Sequence, residues 1–405
     1  METYDIAVIG AGAVGLSVAW RLQQQLPDAR IAILEQADTV AFHQTGRNSG
    51  VIHSGIYYKP DSYKAKLCIR GREQLVAYCQ ERGVQHDVCG KLIVARHEGE
   101  LIGLECIYRT GLENNLKQIR MVERYEMLAI EPQVSGVMGI FVPYTGIVDF
   151  GGVCRALAED ITTLSKGRSN VLLGHRVRSI QRHAEAYTLH TSNGTLKARK
   201  LVGCAGLQSD RIARMEGLKP EVYIVGFRGD YYDLTPEGAK RVRNLIYPVP
   251  NPEFPFLGVH FTRMALGGVE CGPNAVFTFK REGYGKLDFN LRDTVDALSH
   301  LGTLKFFYRH WRHGLREYRR AFSKELFYRE VKQLIPTLRK EEMYPARSGV
   351  RAMALTPEGR MVDDFSFAET EHAVHVLNAP SPAATACLAI GEEVTRRFLE
   401  RVWRE

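Results

Sequence analysis

Gly10, Gly12 and Gly15, with Glu35 twenty residues beyond the last of them, are the residues whose types and spacing most directly suit chemistry. A glycine at the first position permits a tight turn, and one at the second lets the backbone approach a pyrophosphate. The third allows a helix to pack closely on a strand, with the helix's positive end toward the phosphates. A carboxylate at the distance of Glu35 can accept hydrogen bonds from the hydroxyls of an adenosine ribose. This is the pattern of a dinucleotide site. It needs a strand before the glycines, a helix after them and a second strand closing at the acid. Tyr4–Ile9, the helical spacing of Leu16, Ala19, Trp20 and Leu22, and Ile31–Leu34 supply all three.

The remaining elements predict which dinucleotide. Residues 91–149 look mixed, with a strand at Lys91–Ala95 and a strand-like end at Gly146–Phe150. Val153–Thr163 has helical spacing, Asn170–Ile180 and Tyr187–Thr191 alternate as strands, and Lys200–Ala205 is a short apolar strand. Long alternating segments follow at Tyr223–Leu234, Leu257–Leu266 and Ala275–Lys280, then a long basic helix. Ala373–Ala379 reads as a strand and Ala383–Trp403 as a helix. The expected fold class is α/β with an α+β second lobe. A Rossmann-like lobe (1–90, 150–220 and 346–405) interleaves with a mixed-sheet substrate lobe (91–149 and 221–345). A nicotinamide dehydrogenase usually completes its nucleotide domain in one continuous segment. Strand-and-turn elements returning at Lys200–Ser209 and near the C-terminus suit a large, permanently held flavin, so FAD is the expected cofactor.

Composition narrows the class further. Hydrophobic residues at 45% and charged residues at 25% suit a soluble globular chain. No apolar run approaches the roughly 18 to 20 residues needed to cross a bilayer. The first strand begins almost at Met1, so no cleavable targeting segment is expected and a cytoplasmic location is. The eight cysteines show no CxxC or CxxH spacing, which fits a reducing compartment and argues against a metal site. The net charge of +8 points to an acidic surface, an anionic substrate, or both.

The segment His43–Tyr58, HQTGRNSGVIHSGIYY, resembles the stretch after the second strand in the L-2-hydroxyglutarate oxidase/dehydrogenase family. That family belongs to the D-amino-acid-oxidase-like flavoproteins. Similar blocks run from end to end: KAKLC at 64–68, CGKLIVA at 89–95, TGIVDF at 145–150 and CAGLQSDR at 204–211. VHFTR at 259–263, CGPNAV at 271–276 and NAPSPAATACLAIG at 378–391 complete the series. Glu358 in TPEG departs from the Asp often found in the wider superfamily.

The resemblance implies FAD-dependent oxidation of L-2-hydroxyglutarate to 2-oxoglutarate by hydride transfer to flavin N5, with electrons passed on to a membrane quinone pool or oxygen. It implies cofactor contacts from Ala13, Val14, Gln36, Thr45, Asn48, Ser49, Gly50, Val177, Ala205, Gly206, Pro382, Ala383 and Ala384, beside the glycines and Glu35. The small residues and prolines of 378–385 would open the last helix, whose positive end could stabilise a reduced ring. Removing a hydroxyl proton calls for a base, and imidazole has a suitable pKa range. His53 and His260 are the two candidates, with core packing or a covalent flavin link as other readings of His53. Two substrate carboxylates call for guanidinium groups, for which Arg351 and Arg263 are candidates. Strand alternation puts His260 and Thr262 on one face, and Phe261 and Arg263 on the other. Tyr57 and Tyr231 are further substrate contacts, and Tyr58 and Arg228 could help to close the pocket. A flavin amine or amino-acid oxidase is the alternative, or a flavoprotein that binds a partner or RNA.

Between Leu301 and Leu326, Leu304, Tyr308, Trp311, Leu315, Tyr318 and Phe322 step by three or four. Lys305, Arg309, Arg312, Arg316, Arg319 and Arg320 flank that stripe. Either this is a solvated basic helix packed on the core, or it lies peripherally on an anionic membrane and delivers electrons to a quinone pool. No nucleic-acid fold accompanies the charge, so nucleic acid is not an expected partner.

Overall fold

The computed structural model describes residues 2–250 and 258–403. Its first sheet has eight strands. Thr3–Ile9 lies at the centre, parallel to Ile31–Leu34 on one side and to Gly194–Gly203 on the other. Asn170–Leu172 extends the sheet beyond Ile31–Leu34, and Ala373–Asn378 runs parallel to the end of Gly194–Gly203. Ile6–Ile9, Ile31–Leu34 and Leu201–Gly203 are buried and without polar side chains, because both faces of the sheet are covered there. Ile6, Val8, Ile31 and Ile33 face the helices Ala13–Gln25, Phe150–Leu164 and Cys387–Arg401, while Ala7, Ile9, Ala32 and Leu34 face a layer holding Val177, Tyr187 and Leu196. The fold is therefore the expected mixed α/β type.

A second eight-stranded sheet forms the other lobe. Lys91–Ala95 lies within it, parallel to Leu245–Pro248, which in turn pairs antiparallel with His260–Arg263. The start of the expected Leu257–Leu266 strand falls outside the described residues.

Several expected elements are divided or moved. Asn170–Ile180 is two strands, because Gly174 turns the chain at φ +70° and Val177–Arg182 pairs instead with Tyr187–Thr191. Tyr223–Leu234 breaks after Gly229, and its two halves enter different sheets. Ala275–Lys280 keeps only Val276–Phe277 as a strand. Gly349–Leu355, expected in the cofactor lobe, is hydrogen-bonded along its whole length to Tyr223–Gly229 of the substrate lobe. The last helix begins at Cys387 and not Ala383, since residues 380–386 form turns.

The basic helix differs more. It spans Leu301–Phe322 with a non-helical residue at His310, and Ser323 caps a separate helix, Lys324–Val331. Its buried side carries Phe306 and Ala321, with Phe306 edge-on to Phe227 at 5.9 Å. The stripe named above points the other way: Tyr308 is 85% exposed, Trp311 57% and Leu315 55%. Tyr318 is the exception, donating its hydroxyl to the Phe277 carbonyl at 2.6 Å.

Candidate active site

One cavity of about 1920 Å³ runs from the glycine turn to the junction of the lobes. At its first end, Gly10 turns the chain at φ +112°, a conformation open to glycine. A Cβ on Gly15 would stand 1.9 Å from the Gly10 carbonyl oxygen, so only glycine allows this packing of helix on strand. Glu35 secures the turn by accepting the Ala11 amide at 2.9 Å and the Ala37 amide at 3.0 Å, while its side chain lines the cavity. Thr45 Oγ1 accepts the Ala13 amide at 3.1 Å, which bonds the segment after the second strand to the helix start. Asn48 donates to the carbonyls of Gln44 and Thr45 and accepts the Gly50 amide, so its carboxamide serves the loop.

Every cofactor candidate named above lines this cavity except Gly50. Gly50 is instead a turn residue, at φ +67°, whose carbonyl accepts the Val148 amide at 2.8 Å. The 378–385 segment reaches the cavity through turns and not through a helix end. The amides of Ala383 and Ala386 are already engaged, by the carbonyls of Pro380 and Pro382. The stabilising helix terminus expected at Pro382–Ala384 is therefore displaced to Cys387.

The residues present fit FAD. The cavity exceeds the roughly 300–1,000 Å³ of an ordinary small-molecule pocket, leaving space for a dinucleotide and a substrate together. Gly10, Gly12, Ala13 and Gly15 line its first end, and the Glu35 carboxylate stands at the end of the second strand. Gln44, which the sequence did not single out, joins the lobes by accepting the Ala352 amide at 2.9 Å.

At the other end, His53, Tyr57, Tyr58, Lys64, Tyr231 and Arg351 line the cavity. Thr385 Oγ1 accepts the His53 amide and donates to the Val51 carbonyl, fixing the histidine against the C-terminal turn. The His53 Nε2 is 3.3 Å from Ser381 Oγ. Arg351 stands beside the Tyr231 phenol, which burial raises and the guanidinium partly restrains. Lys64 pairs with Asp363 at 2.7 Å. Arg228 is occupied by Asp230 and by the Gly285 carbonyl, so it supports the wall and is not among the lining residues.

Two candidates lie outside the lining. His260 stacks on Tyr247 at 3.9 Å with Nδ1 2.8 Å from the Gly258 carbonyl, behind the wall. Arg263 points away, to Asp87 at 3.2 Å and the Arg243 carbonyl at 2.9 Å. This is the outcome of strand alternation, with no bulge to bring both side chains to one face. The expected imidazole pKa range also needs correction. Burial, then the charge of Lys91, pushes His53 down to about 3, and burial takes His260 to about 3 as well. Both rings are therefore neutral near pH 7. Lys91 and Tyr247 were not anticipated, although a lysine opening an apolar strand was a readable signal.

Comparison with known proteins agrees with this geometry. Residues 5–397 match the family model described as FAD dependent oxidoreductase. An L-2-hydroxyglutarate dehydrogenase of Indibacter alkaliphilus is 44% identical over 98% of this chain and 99% of its own length. One from Escherichia coli is 40% identical over 97% and 93%. Among solved structures, the FAD-bound L-alpha-glycerophosphate oxidase of Mycoplasma pneumoniae superposes with a TM-score of 0.79 at 22% identity, over 99% of this chain and 95% of that one.

Proposed function

As the chain belongs to the FAD-dependent oxidoreductase family, we propose that it oxidises L-2-hydroxyglutarate to 2-oxoglutarate. The observation that carries this reading is the shared cavity: a neutral imidazole and a guanidinium, His53 and Arg351, line the same space as the dinucleotide turn. Identity of 44% and 40% to dehydrogenases of that name, over 98% and 97% of this chain, supports the choice of substrate. Bound FAD supplies the acceptor for the two electrons and the hydrogen leaving C2. Arg351 orients a substrate carboxylate, and Tyr231 beside it limits the space available. The neutral His53 ring has one unprotonated nitrogen, which accepts the hydroxyl proton. An arriving dianion favours the imidazolium, so the ring becomes a stronger base when substrate is present. Tyr247 and His260 hold the wall behind it.

Anaerobic mixing of the FAD-loaded protein with each enantiomer of 2-hydroxyglutarate tests this. Flavin bleaching by the L form is expected. Bleaching by the D form alone, or by glycine, sarcosine or amino acids instead, rejects it in favour of another oxidase.

We further infer that the electrons leave at an anionic membrane surface. Among the described residues no helix is long and apolar enough to cross a membrane. The support is the outward stripe Leu301, Leu304, Tyr308, Trp311 and Leu315, with Lys305, Arg309, Arg312, Arg316 and Arg319 exposed around it. Leu287, Phe289 and Leu291 stand exposed nearby in the chain. Apolar side chains flanked by cations suit the interface of anionic lipid. Sedimentation with anionic vesicles, but not neutral ones, is expected, and its loss in a Trp311→Ser, Leu315→Ser variant. Equal binding of both proteins removes this part of the reading.

A further inference from the structure

Lys91 is 1% exposed, and the mechanism above does not use it. Its ammonium lies 4.4 Å from the ring centre of Tyr57 and 4.9 Å from that of Tyr247. No carboxylate pairs with it among the described residues. The titratable groups that feel it are Cys68 on the helix Tyr63–Arg82, His53 after Val51–Ile52, and His260 on its own strand. None is an anion. Burial pushes the Cys68 thiol up to about 12 and raises the phenols of Tyr57 and Tyr247, while both histidines are neutral. A second observation concerns the same place. The Tyr57 hydroxyl is buried without a hydrogen-bond partner among the described residues, although Tyr57 lines the cavity.

A buried ammonium is normally paired, and a buried hydroxyl is normally bonded. Aromatic faces compensate a cation only in part. Here an uncompensated donor and an unpartnered hydroxyl stand together: Tyr57 lines the cavity, and Lys91, not itself among the lining residues, packs against its ring. An oxyanion between them would satisfy both at once. Arg351, beside the Tyr231 phenol, lines the same cavity and supplies a second cation.

We propose that Lys91 and the Tyr57 hydroxyl form the subsite for one carboxylate of a dicarboxylic substrate, with Arg351 serving the other, and that Lys91 takes up a proton as that carboxylate enters. This rests on the substrate reading above and assigns the residue that makes it selective for two carboxylates. Burial lowers the lysine to about 7, so above that pH a share of the molecules carries it neutral. An adjacent carboxylate favours the charged form, and dicarboxylate binding then consumes a proton from solution.

The test compares 2-oxoglutarate with 2-oxopentanoate, which lacks the distal carboxylate, on the oxidised FAD holoenzyme at pH 8. Binding is read from the flavin spectrum, and proton uptake from calorimetry in buffers of different ionisation enthalpy. The wild type should prefer the dicarboxylate by about 100-fold or more, the scale of a desolvated charge pair. Lys91→Met should reduce that preference to about fivefold or less, leave 2-oxopentanoate binding unchanged and abolish the uptake. Tyr57→Phe should lose about three- to tenfold on the dicarboxylate alone, the scale of one hydrogen bond. It also keeps the test decisive should Lys91→Met not fold.

The alternatives are separable. If L-2-hydroxyglutarate bleaches the wild type but Lys91→Met keeps both the preference and the uptake, the subsite is wrong and the proposed function stands. If the wild type is not bleached yet shows a Lys91-dependent dicarboxylate preference, the subsite stands and the substrate is wrong. A wild type that binds neither keto acid overturns both.

Discussion

The two ends of the cavity are built on opposite principles. At the glycine turn the polar groups are answered from within the protein: Glu35 by two amides, Asn48 by its own loop, Thr45 by the helix start. At the far end, among the described residues, an ammonium pairs with no carboxylate and a phenol has no hydrogen-bond partner, and the charge of Lys91 holds two histidines further below their ordinary range. The first end is satisfied before any ligand arrives. The second carries a deficit that a doubly anionic ligand would remove. A site that must hold its cofactor permanently gains from a rigid cradle, whereas one that must release its product gains from groups that are costly when empty.

The difference can be broken most severely at the rigid end. Gly15→Val places a side chain where even a Cβ meets the Gly10 carbonyl oxygen, with the Cys204 side chain 3.3 Å away on its other side. Neither neighbour is a flexible terminus, so the strand–turn–helix must open. Loss of retained flavin is expected, read as a colourless protein, and a destabilisation of about 1–3 kcal/mol or more from overpacking. Normal flavin content would show that the turn does not cradle the cofactor.

At the reactive end the matching change is His53→Gln, which keeps hydrogen bonding but removes the base. Stopped-flow reduction by L-2-hydroxyglutarate should slow by about 10²- to 10⁴-fold, the usual worth of a positioned base. Flavin content should be unchanged, because the His53 link to Thr385 runs through its backbone amide. A loss below about tenfold would move the base role elsewhere.

The deficit at Lys91 predicts a stability effect of definite sign. Its pKa is about 7 in the fold, against an ordinary value of 10.5. As pH falls from 10.5 toward 7 the unfolded chain takes up the proton first, so stability is lost across that window and stays level below it. The ligand-free holoenzyme should therefore gain stability between pH 7 and 10. Lys91→Met should lack this slope and be more stable at pH 7 by about 1–4 kcal/mol, on the scale seen when a buried ion pair is replaced by apolar volume. Thermal unfolding across that pH range checks it, and a Lys91→Met protein less stable than wild type at pH 7 contradicts it. His53 and His260 act in a different window, with stability lost as pH falls from 6.5 toward 3.

The same contrast explains what the sequence revealed. Gly10, Gly12, Gly15 and Glu35 lie within one strand–turn–helix–strand unit, whose geometry is local and so imposes a spacing that can be read directly. The reactive end is assembled from Tyr57, Lys91, Tyr247 and Arg351, which come from distant segments and meet only through sheet pairing. Lys91 was visible as an oddity in an apolar strand, but its neighbours were not. The stripe on Leu301–Phe322 was legible as a stripe, since period follows from sequence. Which side faces the core depends on Phe227 and its cluster, which pack on Phe306 and leave Tyr308 and Trp311 outside. The last helix was placed four residues early because small residues around prolines fit a helix start and a turn equally well.

The smallest predicted effect separates the two arginines once taken together as carboxylate contacts. Arg263 is partly exposed, ion-paired to Asp87 at 3.2 Å and bonded to the Arg243 carbonyl, with its side chain away from the cavity. Exposed pairs of this kind contribute about 0–1 kcal/mol. Arg263→Ala should thus leave kcat/KM for L-2-hydroxyglutarate within about twofold and lower stability by no more than that amount. Arg351→Ala leaves a substrate carboxylate without its guanidinium, and kcat/KM should fall by about 10²-fold or more, as for a truncated buried charge pair. Steady-state kinetics on both variants decides between the faces of the two strands. Should Arg263→Ala be the damaging change, His260–Arg263 must turn its outer face toward the substrate, and the division of the cavity into a satisfied end and an unsatisfied one would have to be redrawn around it.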